Sequence, residues 1–169
     1  MSFNMVKNGV TYTPGYFLAS AECERKTRQV TQAMAVTNED GTKYVPMGTA
    51  YPSNDANAIG IIYEDVDVTT GSMPASVVLK GTVYENRLAV TGVDYQSVTT
   101  ATGDNPKAKG WYERSGSAGS YVYTLSDDTT VQDGTTYYEQ VDVRISAAAK
   151  TALIAKGFAF ETEPTVTRP

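Results

Sequence analysis

The residues of this chain that could do chemistry are few. Cys23 is the one cysteine, and there is no histidine. The missing imidazole removes the commonest general base, the usual partner of a serine or cysteine nucleophile and the commonest metal ligand. Cys23 lies between Glu22 and Glu24, whose charges oppose a thiolate. It reads as a packing thiol rather than a nucleophile. Two carboxylate pairs are left, Asp65 with Asp67 and Asp127 with Asp128. Paired carboxylates can run a glycosidase or hold Ca²⁺. A calcium loop, however, needs three or more oxygen ligands at close spacing beside a glycine, and DVDVTTG imitates it only in part. Asp65 and Asp67 read as solvated aspartates on one side of a strand, Asp127 and Asp128 as turn residues. No phosphate-cradling loop occurs, because SGSAGS precedes a strand pattern and carries no lysine. The expectation is a protein that is not an enzyme and holds neither cofactor nor metal.

Binding is the alternative to catalysis, and the aromatic residues are where to look for it. Twelve tyrosines accompany four phenylalanines and one tryptophan. Trp111, Tyr112, Tyr121, Tyr123, Tyr137 and Tyr138 concentrate in one stretch. Such rings stack on sugars and anchor protein contacts, so Trp111, Tyr112, Tyr121 and Tyr123 are candidate contact residues for a sugar or a protein. The same rings could instead be the only core of a small module. The net charge is −5, which repels phosphate backbones and anionic membranes alike. Neither nucleic acid nor membrane is an expected partner. Arg25, Lys26 and Arg28 form the one basic cluster, too short to reverse this.

The elements that must position these residues are mostly strands. Thr, Val, Gly and Tyr crowd the chain and leucine is scarce, a β-rich balance. Residues 1–29 lack periodicity, carry a TPG turn and read as an extended arm able to add a strand to a neighbour's sheet edge. Residues 29–34 suggest a short strand, and NEDG at 38–41 a turn. Short strand pieces over 43–47 and 48–51 follow, kept to edges or ends by Pro46 and Pro52. Residues 59–68 and 75–86 alternate as strands around a Gly/Pro turn and predict an antiparallel hairpin or meander. In the second strand Val77, Leu79, Gly81 and Val83 fall on one face. From residue 91 the composition turns hydrophilic, with three short strands expected over 110–114, 120–125 and 135–142. Ser146, an alanine-rich run and Gly157 predict the one convincing helix, with Ala149, Ala152, Leu153 and Ile154 on its apolar side. Phe158 and Phe160 then alternate as a closing strand.

The domain expectation is therefore an arm (1–29), a β body (30–90 with 143–160), an inserted β module (91–142) and a loose tail (161–169). The fold class is mainly β, a β-rich α+β body with one short helix plus an inserted three-stranded subdomain. A lone cysteine excludes an intrachain disulfide, the N-terminus has no apolar signal core and no run is long enough for a spanning helix. Synthesis as a soluble cytoplasmic protein is expected.

Three stretches, AIGIIYEDVDVTTG, VVLKGTVYENRL and SAAAKTALIAKGFAF, resemble in order and combination the phage head-decoration and head-fibre proteins of the lambda decoration type. TQAMAVTNEDGTKYVPMGTAYPSNDA is similar to that family's lead-in. Residues 104–141 depart from the compact pattern and look like a separate β-module of phage structural proteins. The resemblance implies a virion protein on the outside of an expanded capsid, a homotrimer at threefold positions that bridges major capsid proteins. By that analogy the arm makes the capsid contact through Tyr12, Tyr16, Phe17 and Leu18, with Arg25 and Arg28 as polar partners. Two other functions compete: a host-surface or carbohydrate-binding adhesion module working through residues 91–142, and a tail-tube or connector subunit.

Overall fold

The computed structural model describes residues 13–163 in full, together with the backbone of two short strands, β1 (Val6–Lys7) and β2 (Val10–Thr11), which pair antiparallel. Tyr12 and the tail beyond Glu163 lie outside the described residues. The chain divides into two compact units, residues 1–91 with 144–169, and residues 92–143. It is mainly β, with one helix of more than a single turn among the described residues.

The first unit is built on a central strand. β3 (Leu18–Val30) is followed by β4 (Val36–Thr37), β5 (Lys43–Val45), β6 (Ala50–Tyr51), β7 (Gly60–Ile62), β8 (Val66–Asp67) and β9 (Met73–Tyr84). β3 lies antiparallel along one edge of β9. β7 shares the other edge with β14 (Ala159–Glu161), which runs parallel to β9, and β6 continues the sheet beyond β7. β4, β5 and β8 form a separate three-stranded sheet. The expected hairpin is therefore interrupted. Its first strand breaks after Ile62, so that β7 serves the central sheet and β8 the small one.

The central sheet is apolar on both faces. One face packs Ile61, Val78 and Val83 against Ala149 and Leu153 of helix α2 (Ala147–Ala155), with Phe17, Leu88 and Phe158. The other packs Ile62, Ala75 and Val77 against Val45 and Val66 of the small sheet. Simple alternation would put Val77 and Val83 on one face, yet they belong to different clusters. The cause is a bulge: Glu24 pairs with Lys80 and Arg25 with Val78, so Leu79 is the extra residue. One extra residue inverts the face of everything beyond it.

The expected arm is corrected by the same register. Residues 18–30 are not a free segment but a thirteen-residue strand, and Phe17 is fully buried. Gln32–Met34 form a 3₁₀ turn rather than a strand. The helix is as its signals imply, since Ser146 Oγ accepts from Ala149 N at 3.0 Å and Gly157 adopts φ 99°. Ile154 departs from the expected apolar side and is exposed.

The second unit holds four strands rather than three. β10 (Gly92–Ser97), β11 (Tyr112–Ser115), β12 (Val122–Leu125) and β13 (Tyr137–Val143) assemble in the order β10-β13-β11-β12, all antiparallel. A single helical turn, α1 (Pro106–Lys109), is capped by Asn105 and closed by Gly110 at φ 67°. The missed strand, β10, is short and nearly all exposed, and its alternation rests on Val93 and Tyr95 alone.

Candidate functional site

The approach to β3 is fixed by a tight turn. Gly15 N donates to Tyr63 O at 2.8 Å and Leu18 N to Gly15 O at 2.8 Å. Gly15 has φ 76°, and a Cβ there would stand 2.5 Å from the Tyr63 ring, so only glycine suits the position. The turn drives Phe17 into the core and leaves Tyr16 partly exposed. Phe17 is thereby unavailable to a partner, which corrects its expected contact role. Leu18 packs partly against the same core, while Arg25 and Arg28 are exposed on β3. The Arg25 guanidinium lies 4.1 Å from the centre of the Tyr63 ring.

Arg87 is the residue that ties this turn to the end of the described chain. Its Nε donates to Glu163 Oε2 at 2.7 Å, its Nη2 pairs with the other carboxylate oxygen and its Nη1 donates to Tyr16 O at 2.9 Å. The guanidinium also faces the Tyr16 and Tyr84 rings at 4.3 and 4.9 Å. A planar cation with five donors in a fixed fork can make all of these contacts at once. A cleft of about 320 Å³ adjoins the clasp, lined among others by Tyr16, Tyr44, Met47, Asp65 and Arg144. Nothing in the sequence flagged Arg87 or Glu163, which are 76 residues apart.

The clasp makes stability depend on acid. Arg87 holds the Glu163 carboxyl below its ordinary pKa, chiefly by hydrogen bonding. A depressed folded-state pKa means the contribution is present above the ordinary glutamate range and is lost as pH falls through the depressed value. Glu163→Gln should therefore flatten the acid limb of a plot of thermal midpoint against pH. An unchanged limb would contradict the assignment.

The members of each carboxylate pair have separate partners. Asp65 precedes β8 and accepts from Met47 N at 2.7 Å, whereas Asp67 accepts from Thr69 N at 2.8 Å in a local turn. Those hydrogen bonds to Thr69 hold the Asp67 pKa below its usual value. Asp127 pairs with Lys107 at 3.0 Å, and Asp128 accepts from the Tyr137 hydroxyl at 2.5 Å. Among the described residues no group of three acidic or thiol side chains could hold a metal. Cys23 is a half-buried free thiol packed against the core.

In the second unit the expected contact residues separate into two sets. Trp111 is buried beside Tyr137, their ring centres 6.0 Å apart, and so belongs to the core rather than to a contact surface. Tyr112 and Tyr123 are half-buried on the opposite face. Tyr123 stacks on Tyr95 at 4.0 Å and Tyr112 meets Tyr95 edge-on at 5.0 Å. Tyr121 is the most exposed of the four, with the Arg114 guanidinium 4.1 Å from its ring centre. The face thus presents a tyrosine ladder bordered by exposed Val93 and Leu125.

Among the described residues no helix is long and apolar enough to cross a membrane. No protein-family model, curated protein or solved structure matches the chain.

Proposed function

We propose that this chain is a structural virion protein that binds the outer surface of a phage capsid and bridges neighbouring major capsid proteins. The supporting observation is the anchored turn at residues 13–17. The segment before it leaves a point held by the buried Phe17, by the Gly15–Tyr63 hydrogen bond and by the Arg87 clasp. A grip is only as strong as its attachment, and this attachment joins residues 1–12 to a doubly covered sheet. The capsid contact in this reading falls to Tyr12 and its neighbours, with Tyr16 at the boundary. On the shell, three copies surround each threefold position, as the family resemblance implies. Many weak copies then act together through effective concentration, and no chemistry is required.

Deleting residues 1–12 spares Phe17 and the turn, so the remaining protein should fold normally. It should lose co-sedimentation with expanded capsids that lack the native protein. Retained binding would refute the grip.

The tyrosine ladder favours a second reading, adhesion to host glycans through the second unit. This unit is separable, because Thr91 Oγ1 and Arg144 O, at its two ends, lie 3.3 Å apart. Replacing residues 92–143 by a short Gly/Ser linker should leave the first unit cooperative in thermal melts. Capsid binding should survive the excision. If glycan-array binding is seen with the whole chain and vanishes on excision, adhesion is the second unit's work.

A further inference from the structure

The outer edge of β3 carries a charge pattern that matches itself. Val78 pairs with both Ile61 and Arg25, so β7 and β3 occupy opposite edges of β9. β3 is therefore an edge strand, and among the described residues it pairs with β9 alone. Its ladder with β9 is regular from Arg25 to Val30, and residues 24–29 are all exposed. An edge of this length is a ready template for another strand unless something guards it.

Charge is the usual guard, and a single sign would repel a copy in every register. Here the order is Glu22, Glu24, Lys26, Arg28, acidic in one half and basic in the other. Glu24, Lys26 and Arg28 alternate onto one face, where Lys26 and Glu24 already approach to 3.5 Å with both side chains more than half exposed, and Glu22 precedes them in the irregular stretch between Leu18 and Cys23. Two antiparallel copies related by a twofold axis through Arg25 place Glu24 opposite Lys26 and Glu22 opposite Arg28, each twice. Registers centred one residue away set Glu24 against Glu24 or Lys26 against Lys26 and keep only one kind of opposite-charge pair, Glu22–Lys26 or Glu24–Arg28. Directly opposed like charges are destabilising and opposite ones favourable, so the pattern selects one register. Arg25 itself would face its own copy, but its guanidinium is turned onto the Tyr63 ring of its own chain.

We propose that β3 pairs with β3 of a second copy in this register, joining two first units into one continuous sheet. The contact is small, so association belongs in the weak, micromolar-to-millimolar range. On a shell it would link copies seated at neighbouring positions, an arrangement independent of how each copy grips the capsid.

Analytical ultracentrifugation of the full chain, from about 1 µM to about 1 mM, tests this. A monomer–dimer equilibrium that weakens as salt rises is expected. Glu22→Lys/Glu24→Lys gives a wholly basic edge and Lys26→Glu/Arg28→Glu a wholly acidic one. Each should dimerise about tenfold or more weakly than wild type, while their equimolar mixture should form a heterodimer at least as tight as the wild-type pair. Circular dichroism checks that the variants fold; the concentration and salt dependence of the wild type stands without them. A wild-type monomer throughout, a trimer, or a dimer indifferent to both charge reversals would overturn the pairing. Capsid co-sedimentation of the same variants reports separately on the capsid reading, which can fail while the dimer stands.

Discussion

Truncating Phe17 to alanine is expected to cost the first unit about 3–5 kcal/mol, a large fraction of a domain's ordinary stability. Phe17 is completely buried among Ala58, Ile61, Val83, Leu88 and Leu153, where three elements meet. Removing the ring forfeits its transfer free energy and leaves a cavity that strands pinned by hydrogen bonds cannot collapse to fill. Tyr84 N donates to Phe17 O at 2.8 Å, so the backbone there is held independently of the ring. Urea denaturation of the variant should show the midpoint falling sharply with little change in slope. Tyr16→Ala, by contrast, removes a partly exposed ring and should cost far less. Equal costs at the two positions would mean that Phe17 is not the anchor.

Gly60→Ala is the second severe change, costing on the order of 3 kcal/mol. A Cβ on Gly60 would stand 2.4 Å from the Val78 carbonyl oxygen and 2.6 Å from Val77 Cγ1. The first of these is backbone and cannot rotate away. The strands would have to part where β7 and β9 pair, at Ile61–Val78 and Ile62–Val77, loosening both core clusters together. Gly92→Ala is the control, since nothing lies within 4 Å of its added carbon. It should shift stability by less than about 0.5 kcal/mol. Matching losses at the two glycines would refute the close approach.

Local signals carried much of this architecture. The helix over 147–155 follows from its serine cap, its alanines and its terminal glycine, all within a dozen residues of one another. The strands around Val78 and Tyr137 follow from alternation and β-branched or aromatic content. What failed were features set by distant residues. Residues 18–30 contain charges, alanines and no apolar alternation, because an edge strand buries little and its pattern is decided by the partner strand. The bulge at Leu79 has no sequence signature and appears only when β3 and β9 are registered. The Arg87 clasp requires knowing that β14 brings Glu163 beside a turn near the N-terminus. Trp111 could equally have been a contact or a core residue from its type alone. Its ring centre lies 4.7 Å from the Lys109 ammonium of α1, and its backbone N–H donates to Pro106 O, contacts that its residue type does not announce.

The edge strand and the anchored turn give the candidate surfaces their common logic. A strand that contributes little to its own core is free to carry information for a partner. Glu24, Lys26 and Arg28 are exposed on β3, so reversing their charges removes no buried side chain. The turn at Gly15 does the reverse, spending buried area to fix the point from which the first residues depart. These two roles are separable by mutation.

The most direct test of the capsid reading is to add the purified full chain to expanded capsids lacking it and image them by electron cryomicroscopy. Added density at repeated threefold positions on the outer surface, traced into contact with the major capsid protein through residues 1–16, is the expected result. Bare capsids at saturating protein, or density on the tail instead of the head, would contradict it.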